Sequence, residues 1–216
     1  MSDAQAMGTH SRKFPTAYAD ELDMLCEQIS YDRDIFSDDI SFFVRTDHVS
    51  LKCGQHGVGP YSSFRQIIES VVTCIASHTP IRSNLESIRL YLIPWVCINP
   101  AREYRVFVHE GQVTAISQQN LYTVYDDALS RCDDGATICD YFESHMKPTL
   151  AGAGLVSYSA DVAILDDGEP YFIEVNPFGA EYSSGSSLFG WVEDRDILYG
   201  ERRERTGDIY IRFTSR

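Results

Sequence analysis

Ser159-Ala-Asp161-Val-Ala-Ile-Leu-Asp-Asp-Gly168-Glu-Pro-Tyr-Phe-Ile-Glu174-Val-Asn176-Pro177-Phe178 reads as two strands joined by a tight turn. Asp167-Gly168 is a strong two-residue hairpin signal, because both turn positions need positive φ and glycine supplies it freely. The flanks, Val162–Leu165 and Tyr171–Ile173, are short apolar β-formers. With Asp167 and Gly168 as the turn, Asp166 faces Glu169, and counting outward sets Asp161 opposite Glu174. Asn176 lies two residues beyond Glu174 and shares its face. Two carboxylates directly across a ladder repel; a cation between them turns that cost into a site. Oxygen ligands alone suit Mg²⁺, which takes one or two carboxylates together with phosphate oxygens and water. The simpler reading is a solvated face on which the two acids merely coexist. Asn176, and the Pro177 that ends the strand, favour the metal site.

Upstream, Glu103–Gln118 reads as a second hairpin with Glu110-Gly111 at its turn. Alternation puts Glu103, Arg105 and Phe107 on one face and Tyr104, Val106 and Val108 on the other. An Arg on an otherwise aromatic strand face is a candidate phosphate ligand, although a Glu103–Arg105 pair could equally be an ordinary ion pair. Ile40–Val44 is a strand running into Arg45, Lys52, Gly54, Gly57 and Gly59. Such a loop can bring backbone N–H groups and two cations to an anion, but its spacing is not that of a P-loop. Ile88–Val96 holds a further strand, ending near Pro94. Tyr18–Ser30 and Phe64–Ile75 repeat apolar residues at helical spacing, the latter capped at Ser62 or Ser63. Residues 1–16 are expected to be poorly ordered. Asp133-Asp134-Gly135 should separate helical or mixed segments at Leu121–Arg131 and Thr137–Met146, and Pro148 should open a loop. Leu188–Trp191 is expected to dock on the sheet, and Asp208–Phe213 to form a last strand.

A formal net charge of −14 disfavours nucleic acid or an anionic membrane as the main partner. The six cysteines are scattered and form no C-x-x-C pair, which argues for buried thiols in a reducing, cytoplasmic setting. No signal-like or membrane-length apolar run is present, so a soluble, monomeric protein is expected.

Asn99–Val108, Ala115–Gln118, Asp161-Val162, Glu174–Gly179 and Ser187–Trp191 resemble, in order, the cell division cycle protein 123 family. The resemblance implies an α+β ATP-grasp fold whose two lobes, each with an antiparallel sheet, hold Mg²⁺-ATP. Residues 1–39 would be an N-terminal extension with a short helix, 40–93 the first lobe and 94–216 the second. Asp161, Glu174 and Asn176 match the family's metal ligands, with Glu174 where the close family usually has Asp. Arg45 and Lys52 match a pair of lysines, Arg45 being a departure that exchanges a point charge for a planar fork. Tyr91, Leu92 and Ile93 match the adenine-binding linker, where Pro94 cannot donate an N–H. Arg105 matches a phosphate ligand that Glu103 would orient.

By the same resemblance the function would be an assembly chaperone for the heterotrimeric translation initiation factor 2, bound through its gamma subunit. An ATP-dependent carboxylate–amine ligase working through an acyl phosphate is the first rival. A nucleotide-weak interaction module is the second. The short stretch before the first strand leaves little room for a ligase's acceptor domain and favours the chaperone. On this reading Asp161→Ala leaves the fold intact and weakens only Mg²⁺-ATP binding.

Overall fold

The computed structural model describes residues 2–32, 35–36, 40–81, 87–125, 130–182 and 185–214. It forms two compact units, Met1–Val96 and Cys97–Arg216. The first contains helices α1 (Ser2–Ser11), α2 (Ala19–Asp32) and α3 (Phe64–Thr73) and strands β1 (Phe42–Thr46) and β2 (Leu90–Pro94). The second contains β3 (Glu103–His109), β4 (Gln112–Gln118), α4 (Ser130–Tyr141), α5 (Lys147–Gly152), β5 (Tyr158–Ile164), β6 (Pro170–Pro177), α6 (Arg195–Leu198), α7 (Glu201–Thr206) and β7 (Tyr210–Arg212).

In the first unit β1 and β2 pair antiparallel, with Val44 opposite Leu92 and Arg45 opposite Tyr91. Alternation along β1 buries Phe42, Val44 and Thr46 and leaves Phe43 and Arg45 half-exposed. The buried face joins Leu51, Tyr61, Ile67, Val71 and Cys74 in one core. Helix α3 is held there by its apolar stripe, and Ser63 caps it by accepting from the Gln66 N–H.

Residues 2–11 are helical and not loose as their composition suggests. Gln5 donates to Thr79 at 2.7 Å, Thr9 donates to the Cys74 carbonyl at 3.1 Å, and Gly8 lets α1 lie against Val72. Docking on α3 therefore outweighs weak helix propensity.

The second unit is a five-stranded sheet in the order β6-β5-β3-β4-β7. Its strands are antiparallel except for β7, which runs parallel to β4; the sheet is mixed and not wholly antiparallel as expected. Glu110 and Gly111 both take positive φ, making the primed turn that joins β3 to β4. One face, carrying Tyr104, Val106, Val108, Ile116, Ala160 and Val162, packs on Ile138, Phe142 and Met146. The opposite face carries Phe107, Ala115, Phe178 and Phe189, with Trp191 packed against them. Leu188–Trp191 thus docks on the sheet as its composition predicts.

Two expected breaks are absent. Helix α4 runs through Asp133-Asp134-Gly135. Asp134 turns inward and accepts from Arg102 and from the Tyr104 hydroxyl, the latter at 2.6 Å. A Cβ on Gly135 would press against the Ile211 side chain, so glycine here allows close packing and does not end the helix. Pro148 opens no loop: it lies in α5, inside a helical run that continues unbroken through the π-helical turn at Phe142–Met146 to Gly152. The expected helix at Leu121–Arg131 falls partly on residues 126–129, outside the described residues.

Candidate functional site

The second face of the β3–β5–β6 sheet builds the polar cluster. Register places Arg105 on β3 directly opposite Asp161 on β5. Arg105 Nε donates to Asp161 Oδ1 at 2.8 Å and Nη2 donates to Oδ2 at 2.8 Å. Nη1 donates to the Gly185 carbonyl at 2.7 Å. Asp161 is only 3% exposed and Arg105 only 8%. The expected partner of Arg105 was Glu103; the side chain that orients it is Asp161. A guanidinium carries five N–H donors, so one on each terminal nitrogen is left over by these three bonds.

Asp161 and Glu174 are opposite each other, as counted from the sequence, but by a different path. The turn is a three-residue loop, closed by Leu165 N–H to the Glu169 carbonyl at 2.9 Å with Gly168 at φ 88°. That shifts the register by one, so Val162 faces Phe172. Ile173 is then extra in β6, and this bulge restores the pairing at Glu174. Asn176 follows, its Nδ2 donating to Asp161 Oδ2 at 3.4 Å. Phe178 anchors the end of this strand, stacked on His109 at 5.3 Å and edge-on to Trp191 at 5.0 Å.

Three carboxylates, Glu103, Asp161 and Glu174, act on the Arg105 guanidinium. Burial pushes the Glu103 carboxyl above the ordinary range, the charges of Asp161 and Glu174 push it further, and Arg105 alone pulls it back. Burial by itself would lower the Arg105 pKa, but its bonds to Asp161 and the three negative charges hold it raised. Among the described residues no three His, Cys, Asp or Glu side chains form a metal cage. The donor set Asp161, Glu174 and Asn176 fits an ion that keeps most of its ligands from phosphate or water, which is how Mg²⁺ is usually held.

In the first unit Arg45, Tyr91, Leu92 and Ile93 line one open groove of about 580 Å³ with Thr46, Asp47 and Leu90. Tyr91 and Ile93 are exposed on its face, and Tyr91 donates to Asp47 at 2.7 Å. Leu92 is half-buried against the core, so its contribution to the groove is backbone. Trp95 N–H donates to the Ser41 carbonyl at 2.9 Å, which fixes the alternation of the antiparallel ladder. Residues opposite at Phe43–Ile93 and Arg45–Tyr91 exchange ladder bonds, and the Leu92 N–H and C=O point to the other edge of β2.

Lys52 is exposed and lies outside that groove's lining. Four N–H groups of the glycine-rich loop around it are used within the unit. The Gln55 N–H donates to Thr73 Oγ1 at 2.8 Å, the His56 N–H to Ser70 Oγ at 3.2 Å, and the Gly54 and Gly57 N–H groups to loop carbonyls. A Cβ on Gly54 would sit 2.5 Å from the Ser70 carbonyl oxygen. These glycines and amides dock the loop on α3.

Residues 64–215 match the family model described as D123. The chain belongs to the D123 family. Among its relatives, the translation initiation factor eIF2 assembly protein of Candida albicans is 36% identical over 107 residues, 48% of this chain and 30% of the relative. The protein of that description from Xenopus laevis is 32% identical over 111 residues, 50% of this chain and 31% of the relative. Cell division cycle protein 123 of Candida glabrata is 35% identical over 107 residues, 48% of this chain and 28% of the relative. The matched stretch thus spans about a third of each curated relative's length.

The solved structure of Cdc123 from Schizosaccharomyces pombe superposes with a TM-score of 0.55 at 17% identity, covering 89% of this chain and 77% of that one. Its C-terminally truncated form gives 0.63 at 16%, covering 89% and 78%. The α+β ATP-grasp fold is therefore the one the sequence resemblance implies.

Two polar groups in the D123 site escape sequence reasoning. The Gly185 carbonyl on Arg105 lies in a small-residue loop with no local signal. Ser159 reads from the sequence only as a strand residue. No helix of the described residues is long and apolar enough to cross a membrane.

Proposed function

We propose that this D123 chain binds Mg²⁺-ATP and acts in that form as an assembly factor for translation initiation factor 2, engaging its gamma subunit. The observation that carries the nucleotide reading is geometric: the buried Arg105–Asp161 pair lies on one sheet face with Glu174 directly across the ladder and Asn176 beside it. Asp161, Glu174 and Asn176 would hold the ion. Bound Mg²⁺ would supply charge neutralisation at the phosphate oxygens. Arg105 would turn its remaining N–H donors to phosphate.

In the first unit, the Leu92 backbone, whose donor and acceptor both point away from β1, and the Tyr91 and Ile93 side chains would offer a face for a nucleotide base. Pro94 lacks an N–H, so donation falls to Leu92. Arg45, across the ladder from Tyr91, would contribute charge at the same face.

The partner reading rests on the names of the relatives, eIF2 assembly proteins in Candida albicans and Xenopus laevis. The test is size-exclusion co-elution of the purified chain with the isolated gamma subunit, with Mg²⁺-ATP and with EDTA. Co-elution that needs Mg²⁺-ATP is the expected result. Independent elution under both conditions would overturn the assembly reading and leave nucleotide binding to stand or fall separately.

A further inference from the structure

Two residues before Asp161 on β5, Ser159 is fully buried, and its Oγ has no hydrogen-bond partner among the described residues. A buried hydroxyl in that state costs free energy that an alanine would not. Strand alternation puts Ser159 on the face of Asp161. Register sets it between Phe107 on β3 and Asn176 on β6. Phe107 offers no polar atom. The neighbouring polar group across the ladder is therefore the Asn176 amide, and directly opposed side chains lie close enough to interact.

Asn176 is itself weakly held. Its bond to Asp161 Oδ2, at 3.4 Å, is at the long end of the hydrogen-bond range. An amide has an acceptor oxygen and a nitrogen with two donors. When Oδ1 serves a cation, Nδ2 must turn away from it, toward the sheet face. Two acceptors then face it, Asp161 Oδ2 and Ser159 Oγ.

We propose that Ser159 is a positioning residue for Asn176, its Oγ accepting from Nδ2 so that Oδ1 is presented to the bound ion. This inference rests on the Mg²⁺-ATP reading. It gives the hydroxyl opposite effects in two states: a cost in the free protein, where it is unpaired, and a gain in the loaded one. A serine kept only because the space beside Phe107 is small has no such signature, since alanine fills that space equally well.

The experiment compares wild type, Ser159→Ala, Asn176→Ala and the double variant. Urea midpoints are read without ligand, and ATP affinity by calorimetry in Mg²⁺ and in EDTA. Ser159→Ala should unfold at the same or a higher urea concentration than wild type. Its dissociation constant for ATP should rise about fivefold in Mg²⁺ and stay unchanged in EDTA. In the Asn176→Ala background the same replacement should cost nothing further. Unchanged affinity in Mg²⁺, an equal loss in the Asn176→Ala background, or reduced stability of the free protein would each overturn the assignment. If wild type itself binds no ATP in Mg²⁺, the nucleotide reading fails and this inference with it. If wild type binds and Ser159→Ala binds equally, only the inference fails.

Discussion

Arg105 and Asp161 sit opposite each other on neighbouring strands and are joined by two hydrogen bonds of 2.8 Å, both side chains almost wholly buried. The pair is at once structural and part of the candidate site. Removing one partner leaves an uncompensated charge in the interior. Asp161→Ala should therefore destabilise the protein by about 3–5 kcal/mol, contrary to the expectation from sequence that the fold is indifferent to it. Urea denaturation measures this; a variant within about 0.5 kcal/mol of wild type, the range of ordinary surface substitutions, would show that the pair is not formed.

Glu103 sets a pH dependence. Its folded pKa is raised from 4.5, first by burial and then by the charges of Asp161 and Glu174. Below 4.5 the carboxyl is protonated in both folded and unfolded chains and costs nothing. As pH rises through the raised folded value, the native state must give up a proton it prefers to keep, and stability falls. Glu103→Gln should thus be more stable than wild type at neutral pH, with the gap closing as pH drops toward 4.5. Urea midpoints across that range would decide it, and a gap independent of pH would refute the burial argument.

The glycine-rich loop should behave as packing. Gly54→Ala places a Cβ against the Ser70 backbone, and overpacking of that kind costs about 1–3 kcal/mol. The loss should appear in thermal unfolding. Preserved stability would return the loop to the ligand-binding reading.

Thiol reactivity should separate two cysteines. Cys97 is exposed, whereas burial pushes the Cys74 thiol up to about 11. The thiolate is the nucleophile, so iodoacetamide at neutral pH should label Cys97 first and Cys74 only on unfolding. Peptide mass mapping reads the order, and early labelling of Cys74 would mean that the α3 core opens readily.

What the sequence discloses is what is local. The β3–β4 turn follows from Glu110-Gly111, and α3 from its apolar period and Ser63. The pairing of Asp161 with Glu174 was also legible, although a longer turn and the Ile173 bulge offset each other to give it. Relationships set by distant partners were not legible. Arg105 finds Asp161 through a β3–β5 register that no local pattern encodes. Asp133-Asp134-Gly135 looks like a helix break until Arg102, Tyr104 and Ile211 are seen around it. The first unit's α1 depends on α3 for its order, and its composition alone carries no trace of that contact.

Calorimetric titration with ATP, in Mg²⁺ and in EDTA, tests the nucleotide site most directly. Glu174→Gln is the better control, because it removes a proposed ligand charge without stranding Arg105. Wild type should bind with micromolar affinity in Mg²⁺, and Glu174→Gln should lose at least tenfold, about 1.4 kcal/mol, while unfolding at a similar urea concentration. Equal affinity of the two proteins in Mg²⁺, or no binding by wild type, would contradict the account.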